Sequence, residues 1–200
     1  MRPRIFLLSP ASANGERAKM TLRDEASFDL AVRLRQEGAP IGEVFSFISG
    51  LYFRGKLAYS EKFASPPGDL PGALTITADR GLVPLHTKIT TGDLRASAEV
   101  AIDLTEPRFV RPFERDARRL AEEAGPECDI ILLGSVATAK YVEPLQGIFG
   151  DRLLFPAEFA GRGDMSRGGL MLRCARDGVE LSYVAVRGAA RHGPRPPKLR

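Results

Sequence analysis

Three short runs constrain this chain more than anything else in it: Ile5-Phe-Leu-Leu8, Ala73-Leu-Thr-Ile-Thr-Ala78 and Asp129-Ile-Ile-Leu-Leu-Gly134. The first and third are apolar at nearly every position, the pattern of a strand covered on both faces in a parallel sheet. The second is β-branched over Thr75-Ile-Thr77. Each stops at polar residues or glycine, namely Ser9, Asp79-Arg80-Gly81 and Gly134-Ser135, and a fourth apolar run, Leu153-Leu-Phe-Pro156, follows the same plan. Strands alternating with helix-like segments predict an α/β fold, a three-layer single domain with a mainly parallel central sheet. The domain is expected over residues 1–192, with 193–200 a flexible basic tail, because Gly-Pro-Arg-Pro-Pro forms neither helix nor ladder.

Bulk composition agrees. A chain of 200 residues with 44% hydrophobic and 27% charged side chains suits one soluble domain with a substantial core. The net charge is only +4, but no acid follows Glu180, while Arg187, Arg191, Arg195, Lys198 and Arg200 gather beside His192. Such an end binds nucleic acid or lipid, or simply keeps the protein in solution. Cys128 and Cys174 adjoin core segments without metal-ligand spacing, which predicts buried free thiols in a reducing cytoplasm. Ile5–Leu8 is too short for a signal core or a membrane span, so no membrane association is expected.

Open α/β folds place ligands at the carboxyl ends of their strands. That rule makes Ser9, Asn14 and Lys19 candidates after the first strand, and Asp79 with Arg80 after the second. Asp79 is either a working carboxylate or an acid paired with Arg80 in a turn. A helix is expected from Asp24 or Ser27 to Leu34. In the helix that follows Gly50, Tyr52, Lys56, Tyr59 and Phe63 share one face, so Lys56 either approaches a ligand phosphate or snorkels to water from a core stripe. Residues 87–105 are the least legible, with a strand expected around Glu99–Asp103. Pro107 opens a helix whose core stripe is Phe109, Phe113, Ala117, Leu120 and Ala124; its mixed arginines and acids read as a solvated face. After the Asp129–Gly134 strand, Ser135 is the expected N-cap of a helix toward Gln146, a weak anion-binding signal together with Gly134.

The stretch Phe159–Arg173 holds four glycines and three arginines around Asp164 and Ser166. Gly161, Gly163, Gly168 and Gly169 suggest a backbone shaped for close approach, and Arg162 and Arg167 offer planar donor forks to phosphate or carboxylate. With a helix expected from about Leu170, the stretch reads as an anion-binding loop, or else as a polar turn with Asp164 in local ion pairs.

Ser9-Pro10-Ala11, the aromatic-basic helix, Ala78-Asp-Arg-Gly-Leu82, Leu132-Leu-Gly134 and Gly161-Arg-Gly163 together resemble a group of largely uncharacterised bacterial proteins. That group has a short Ser-Pro first strand and an (Ala/Thr)-x-(Arg/Tyr)-Gly-Leu second-strand end. It is loosely similar to the peroxide-stress protein family and to uracil-DNA-glycosylase-like α/β folds. The resemblance spans roughly Arg4 to Arg173 and singles out Ser9, Asp79, Arg80, Gly81, Gly134, Gly161 and Gly163. It implies action on nucleic acids or modified bases. The Gly-Gln-Asp-Pro-Tyr water-activating loop of the glycosylases is missing from this sequence.

A Gly-x-x-x-x-Gly-Lys-Ser/Thr phosphate loop and a Gly-x-Ser-x-Gly elbow are likewise absent, and His86 and His192 are the only histidines. No metal or cofactor is therefore expected. Acid–base work falls to Asp79 or Asp164, with Arg80, Arg162, Arg167 and Lys56 as electrophilic clamps. Two functions follow: an enzyme directed at a nucleotide or nucleic acid, acting at a glycosidic bond or modified base, or a non-catalytic nucleic-acid binder. An assembly protein, for which the Gly-Arg loop is dispensable, is the third.

Overall fold

The computed structural model describes residues 2–136 and 139–189; the expected tail 193–200 lies outside them. The described chain runs β1 (Arg4–Leu8), α1 (Glu16–Leu22), α2 (Asp29–Gln36), β2 (Ala39–Pro40), α3 (Ile41–Ser49), α4 (Leu51–Phe63), β3 (Ala73–Ile76), β4 (Leu82–Pro84), β5 (Lys88–Ile89) and α5 (Thr91–Ala98). It continues with α6 (Pro107–Ala124), β6 (Asp129–Leu133), α7 (Ala139–Phe149), β7 (Leu153–Pro156), α8 (Asp164–Asp177) and β8 (Tyr183–Ala185). Short 3-10 turns flank β7 at Gly150–Arg152 and Ala157–Phe159.

Six strands form one sheet in the order β4-β3-β1-β6-β7-β8. The inner four are parallel: β1 pairs with β3 and with β6, and β6 with β7. The α/β domain with a mainly parallel sheet is therefore as the apolar runs require. Its two edge strands, β4 and β8, are antiparallel to their neighbours. From β1 the chain moves one way to β3 and then the other way to β6 and β7. Right-handed crossovers in opposite directions put α1–α4 on one face and α6 and α7 on the other. Every residue of β1 is buried, as is all of β6 after Asp129.

Several local expectations need correction. The Ala11–Arg17 segment, expected as a loop at the end of the first strand, enters α1 at Glu16, and α2 starts at Asp29 with Phe28 as its N-cap, later than Asp24 or Ser27. Phe28 is drawn there by stacking on Phe47, with ring centroids 5.1 Å apart. Residues 99–103 are not a strand; the regular element of that region is α5, started by a Thr90–Asp93 capping box. The helix of the Gly-Arg stretch starts at Asp164 rather than Leu170, so Gly168 and Gly169 are helical.

The reason for a glycine at 168 is α4. A Cβ on Gly168 would stand 2.7 Å from the Leu51 carbonyl oxygen, and one on Gly55 would stand 2.5 Å from the Gly168 carbonyl oxygen. The two helices cross with backbones in contact, and α8 thereby joins α4 on its face of the sheet. A polar network reaching from Arg4 to Tyr183 ties the first strand to the last. Arg4 donates to Glu180, Tyr183 donates to Glu180 at 2.8 Å, and the Tyr59 and Tyr183 hydroxyls lie 2.7 Å apart. Leu181 N–H donates to the Tyr59 hydroxyl at 2.8 Å.

The crossing makes a paired prediction. Gly168→Ala forces the helices apart and should cost about 1–3 kcal/mol, the usual scale of overpacking. Gly169 has open space where its Cβ would be, so Gly169→Ala should instead add up to about 1 kcal/mol through helix propensity. Urea denaturation of both variants checks the opposite signs.

Candidate functional site

Because the chain leaves β1 and β6 toward opposite faces, the carboxyl ends of these two strands border the switch point of the sheet. Ser9 and Gly134 meet there. Ser9 N–H donates to the Leu133 carbonyl at 3.1 Å, and a Cβ on Gly134 would lie 2.8 Å from the Ser9 Cβ. Close strand contact, rather than a ligand, therefore explains glycine at 134. Beside them opens a crevice of about 340 Å³, walled by the Pro10–Asn14 loop, Ala78, Ser97, residues 100–102, Phe45, and Lys140 and Tyr141 of α7.

Lys56 enters this region from α4. It is buried, at 1% exposure, and does not snorkel to water. Its Nζ donates to the Ser9 carbonyl at 2.8 Å and to Ser9 Oγ at 2.7 Å. The same ammonium sits 4.1 Å from the Tyr52 ring centroid. Burial pushes the Lys56 pKa down to about 7; the Asp164 carboxylate partly offsets this, and the Arg167 guanidinium adds to it. Burial also raises Tyr52, up to about 12, against the charge of Arg167. The Tyr52 hydroxyl is buried without a well-formed hydrogen bond. Tyr141 is raised by burial first and by Tyr52 second. Ser9, Lys56, Tyr52, Tyr141, Arg167 and Asp164 thus share one electrostatic neighbourhood.

The end of β3 is built with equal care. Thr77 N–H and Oγ1 both donate to the Gly81 carbonyl, at 2.8 and 2.9 Å, and Arg80 N–H donates to Thr77 Oγ1 at 3.0 Å. Gly81 closes the turn at φ +72°, a conformation that favours glycine. Asp79 does not pair with Arg80. It accepts a hydrogen bond from Ser97, a residue of the crevice wall, while Arg80 pairs with Asp93 at 3.3 Å. Asn14 lines the crevice and donates to the Ala98 carbonyl at 3.0 Å, pinning the β1 loop to α5.

Sequence reasoning missed Asp116. It is buried within the α6 acids, accepts Leu82 N–H at 3.1 Å and pairs with Arg115 at 2.8 Å, so it clamps the β3 turn onto α6. The signal was present: Asp116 follows Phe113 by three residues, on the stripe that ends in the core. Lys140 was missed for another reason. α7 begins at Ala139, so Ser135, four residues earlier, is not its N-cap, and Lys140 stands on the first turn.

The Gly-Arg stretch closes on itself. Gly161, at φ +72°, turns the chain, and Gly163 is the N-cap of α8. Arg162 donates to the Glu158 carbonyl at 3.0 Å and to Ser166 Oγ at 3.2 Å. Arg167 is buried; its Nε and Nη2 donate to the Phe159 carbonyl at 3.3 and 3.0 Å, and its Nη1 stands 3.9 Å from Asp164. Both forks are spent on main-chain carbonyls and a hydroxyl of their own segment, an arrangement nearer to the polar turn than to an open anion clamp. Asp164 keeps 68% of its side chain exposed. Among the described residues, no group of three or more His, Cys, Asp or Glu side chains is placed to hold a metal ion, and no helix is long and apolar enough to cross a membrane.

Lys56 supplies a prediction with a definite sign. Its folded pKa, about 7, lies below the ordinary value of 10.5, so between these values the unfolded chain binds the extra proton. Wild type should gain stability relative to Lys56→Met as pH rises through that window, by up to about 1.4 kcal/mol per pH unit. Denaturation of both proteins across the window measures the difference, and a flat difference refutes a lowered Lys56 pKa. No family model, no curated protein and no solved structure matches the chain.

Proposed function

We propose that the protein is an enzyme directed at a nucleotide or a nucleic-acid component, with the crevice at the switch point as its active site. The observation that carries the reading is the crevice itself: about 340 Å³, beside the carboxyl ends of β1, β3 and β6, with Asp79 behind one wall and Lys140 in another. Ligand pockets run from about 300 to 1,000 Å³, so this one suits a single nucleoside-sized unit. A longer strand would have to extrude one nucleotide into it.

In this reading Lys140, on the first described turn of α7, receives the anionic group. Asn14 and the Pro10–Ala13 loop contact the base or sugar. Asp79, oriented by Ser97, stabilises positive charge developing at the sugar or positions a water. Neither carboxylate lines the crevice, and Asp79 takes this role ahead of Asp164 because its hydrogen-bond partner Ser97 forms part of the wall. Four of the five α6 arginines, Arg108, Arg115, Arg118 and Arg119, each pair with a neighbouring acid, which weighs against the non-catalytic binder.

Calorimetric titration with nucleosides, nucleoside monophosphates and short oligonucleotides, together with an assay for base release, tests the reading. A monophosphate should bind, roughly tenfold more weakly to Lys140→Ala, in line with the loss of one charge-assisted contact. Asp79→Asn should retain binding and lose about 10²–10⁴ in turnover. Absence of binding by all three ligand classes sinks the proposal. Binding without turnover, with a steep salt dependence, would indicate the binder instead.

A further inference from the structure

A second concavity, of about 790 Å³, lies away from the crevice and shares no lining residue with it. One wall is the face of α4 opposite the buried Tyr52–Lys56–Tyr59 stripe, where Arg54, Leu57, Ala58 and Glu61 follow at helical spacing. The facing wall is the apolar connector from Ala64 to Ala73, with Leu85 beyond β4. The body of the groove is therefore hydrocarbon, shaped by proline and alanine rather than filled by side chains.

Its polar groups are concentrated at the corner where α3 turns into α4 through Gly50. There the Ser46 Oγ is buried and has no hydrogen-bond partner among the described residues, so its donor is available to a water or to a bound group. Arg54 is on the same corner: its N–H donates to the Gly50 carbonyl, and Gly50 N–H donates to the Ser46 carbonyl. The Arg54 side chain is exposed and makes no hydrogen bond or ion pair with the described residues. Glu43, the acid at this corner, is already bound by Arg33 through both carboxylate oxygens. Glu61 and His86 are also rim residues, and Glu61 lies two turns of α4 away from Arg54, about 10 Å by helix rise. Arg17 also reaches Gly50 but donates to the Phe47 carbonyl and does not line the groove, which leaves Arg54 and the Ser46 hydroxyl as the groove's unpartnered donors at this corner.

We infer that this groove is a ligand site for a small molecule with an alkyl or aryl body and one carboxylate. The carboxylate pairs with Arg54 and accepts a hydrogen bond from the Ser46 hydroxyl; the body lies along Leu57 and Ala58, against Pro66 and Pro71. A neutral molecule of the same shape leaves Arg54 unpaired, and a cation is repelled at the corner. A macromolecular partner is a poorer fit, because the feature is concave.

Decanoate and 1-decanol, titrated into wild type, Arg54→Gln, Ser46→Ala and Ala58→Trp, are the probes. Decanoate should bind wild type more tightly than decanol does. Arg54→Gln should weaken decanoate about tenfold and leave decanol unchanged, the scale of one charge-assisted contact. Ser46→Ala should weaken decanoate by a smaller factor, and Ala58→Trp, which fills the body of the groove, should abolish binding of both. Equal affinity of the two probes, or undiminished decanoate binding by Ala58→Trp, overturns the inference. So does an absence of decanoate binding to wild type. Thermal melts establish that the variants fold, and Arg54→Gln, an exposed position, keeps the test usable should Ala58→Trp not fold. Nucleotide titration of the same variants separates this site from the crevice: failure of either leaves the other standing.

Discussion

A central strand that ends inside a protein must hand its last polar groups to some donor, because water cannot reach them. In this chain the donor at the end of β1 is the Lys56 ammonium, which takes both the Ser9 carbonyl and the Ser9 hydroxyl. Burying a charge there is costly, and the ring of Tyr52 with two oxygen acceptors offsets only part of the cost. The depressed pKa is the visible remainder of that imbalance. Through this one contact α4 is fixed to the carboxyl edge of the sheet.

Much else is positioned from α4. The Gly55–Gly168 crossing brings α8 against it without intervening side chains, and that places Arg167 and Asp164 within electrostatic reach of Lys56. On the other flank, Asp116 fastens the Asp79 turn to α6, and Ser97 holds the Asp79 carboxylate beside the crevice. The crevice is walled by α3, α5, α7 and the loops that follow β1, β3 and α5, while α4 and α6 hold the strand ends beside it through Lys56 and Asp116. Its walls depend on the packing of both helical layers.

Charge in this protein divides by what each side chain does after folding. Arg162 and Arg167 satisfy main-chain carbonyls of their own segment, Arg80 supports the cap of α5 through Asp93, and most of the α6 arginines meet acids one to four residues away. Such pairs on an exposed surface contribute little. Arg54 differs because no acid meets it. A guanidinium left unpaired beside an unpaired buried hydroxyl is the kind of inconsistency that ligand sites tolerate and cores do not.

The parallel core was legible in the sequence because β1 and β6 are apolar on both faces, a pattern that does not depend on which strand lies beside which. Helix α6 was legible for a related reason: the Pro107 start and the Phe109–Ala124 stripe are local signals. Ser9, Asn14 and Asp79 follow from the rule that strand ends face ligands, and the fold does set them around one edge of the sheet. Tertiary structure alone decided the rest. Lys56 and Ser9 are 47 positions apart, and no periodicity says that one will cap the other. Gly168 reads as a flexible loop residue until α4 is brought against it. The Arg162 and Arg167 forks look available until the Phe159 and Glu158 carbonyls need donors, a demand that exists only once the chain has turned at Gly161. Sequence sets what each residue can do; which partner takes its hydrogen bonds depends on close approach between distant segments.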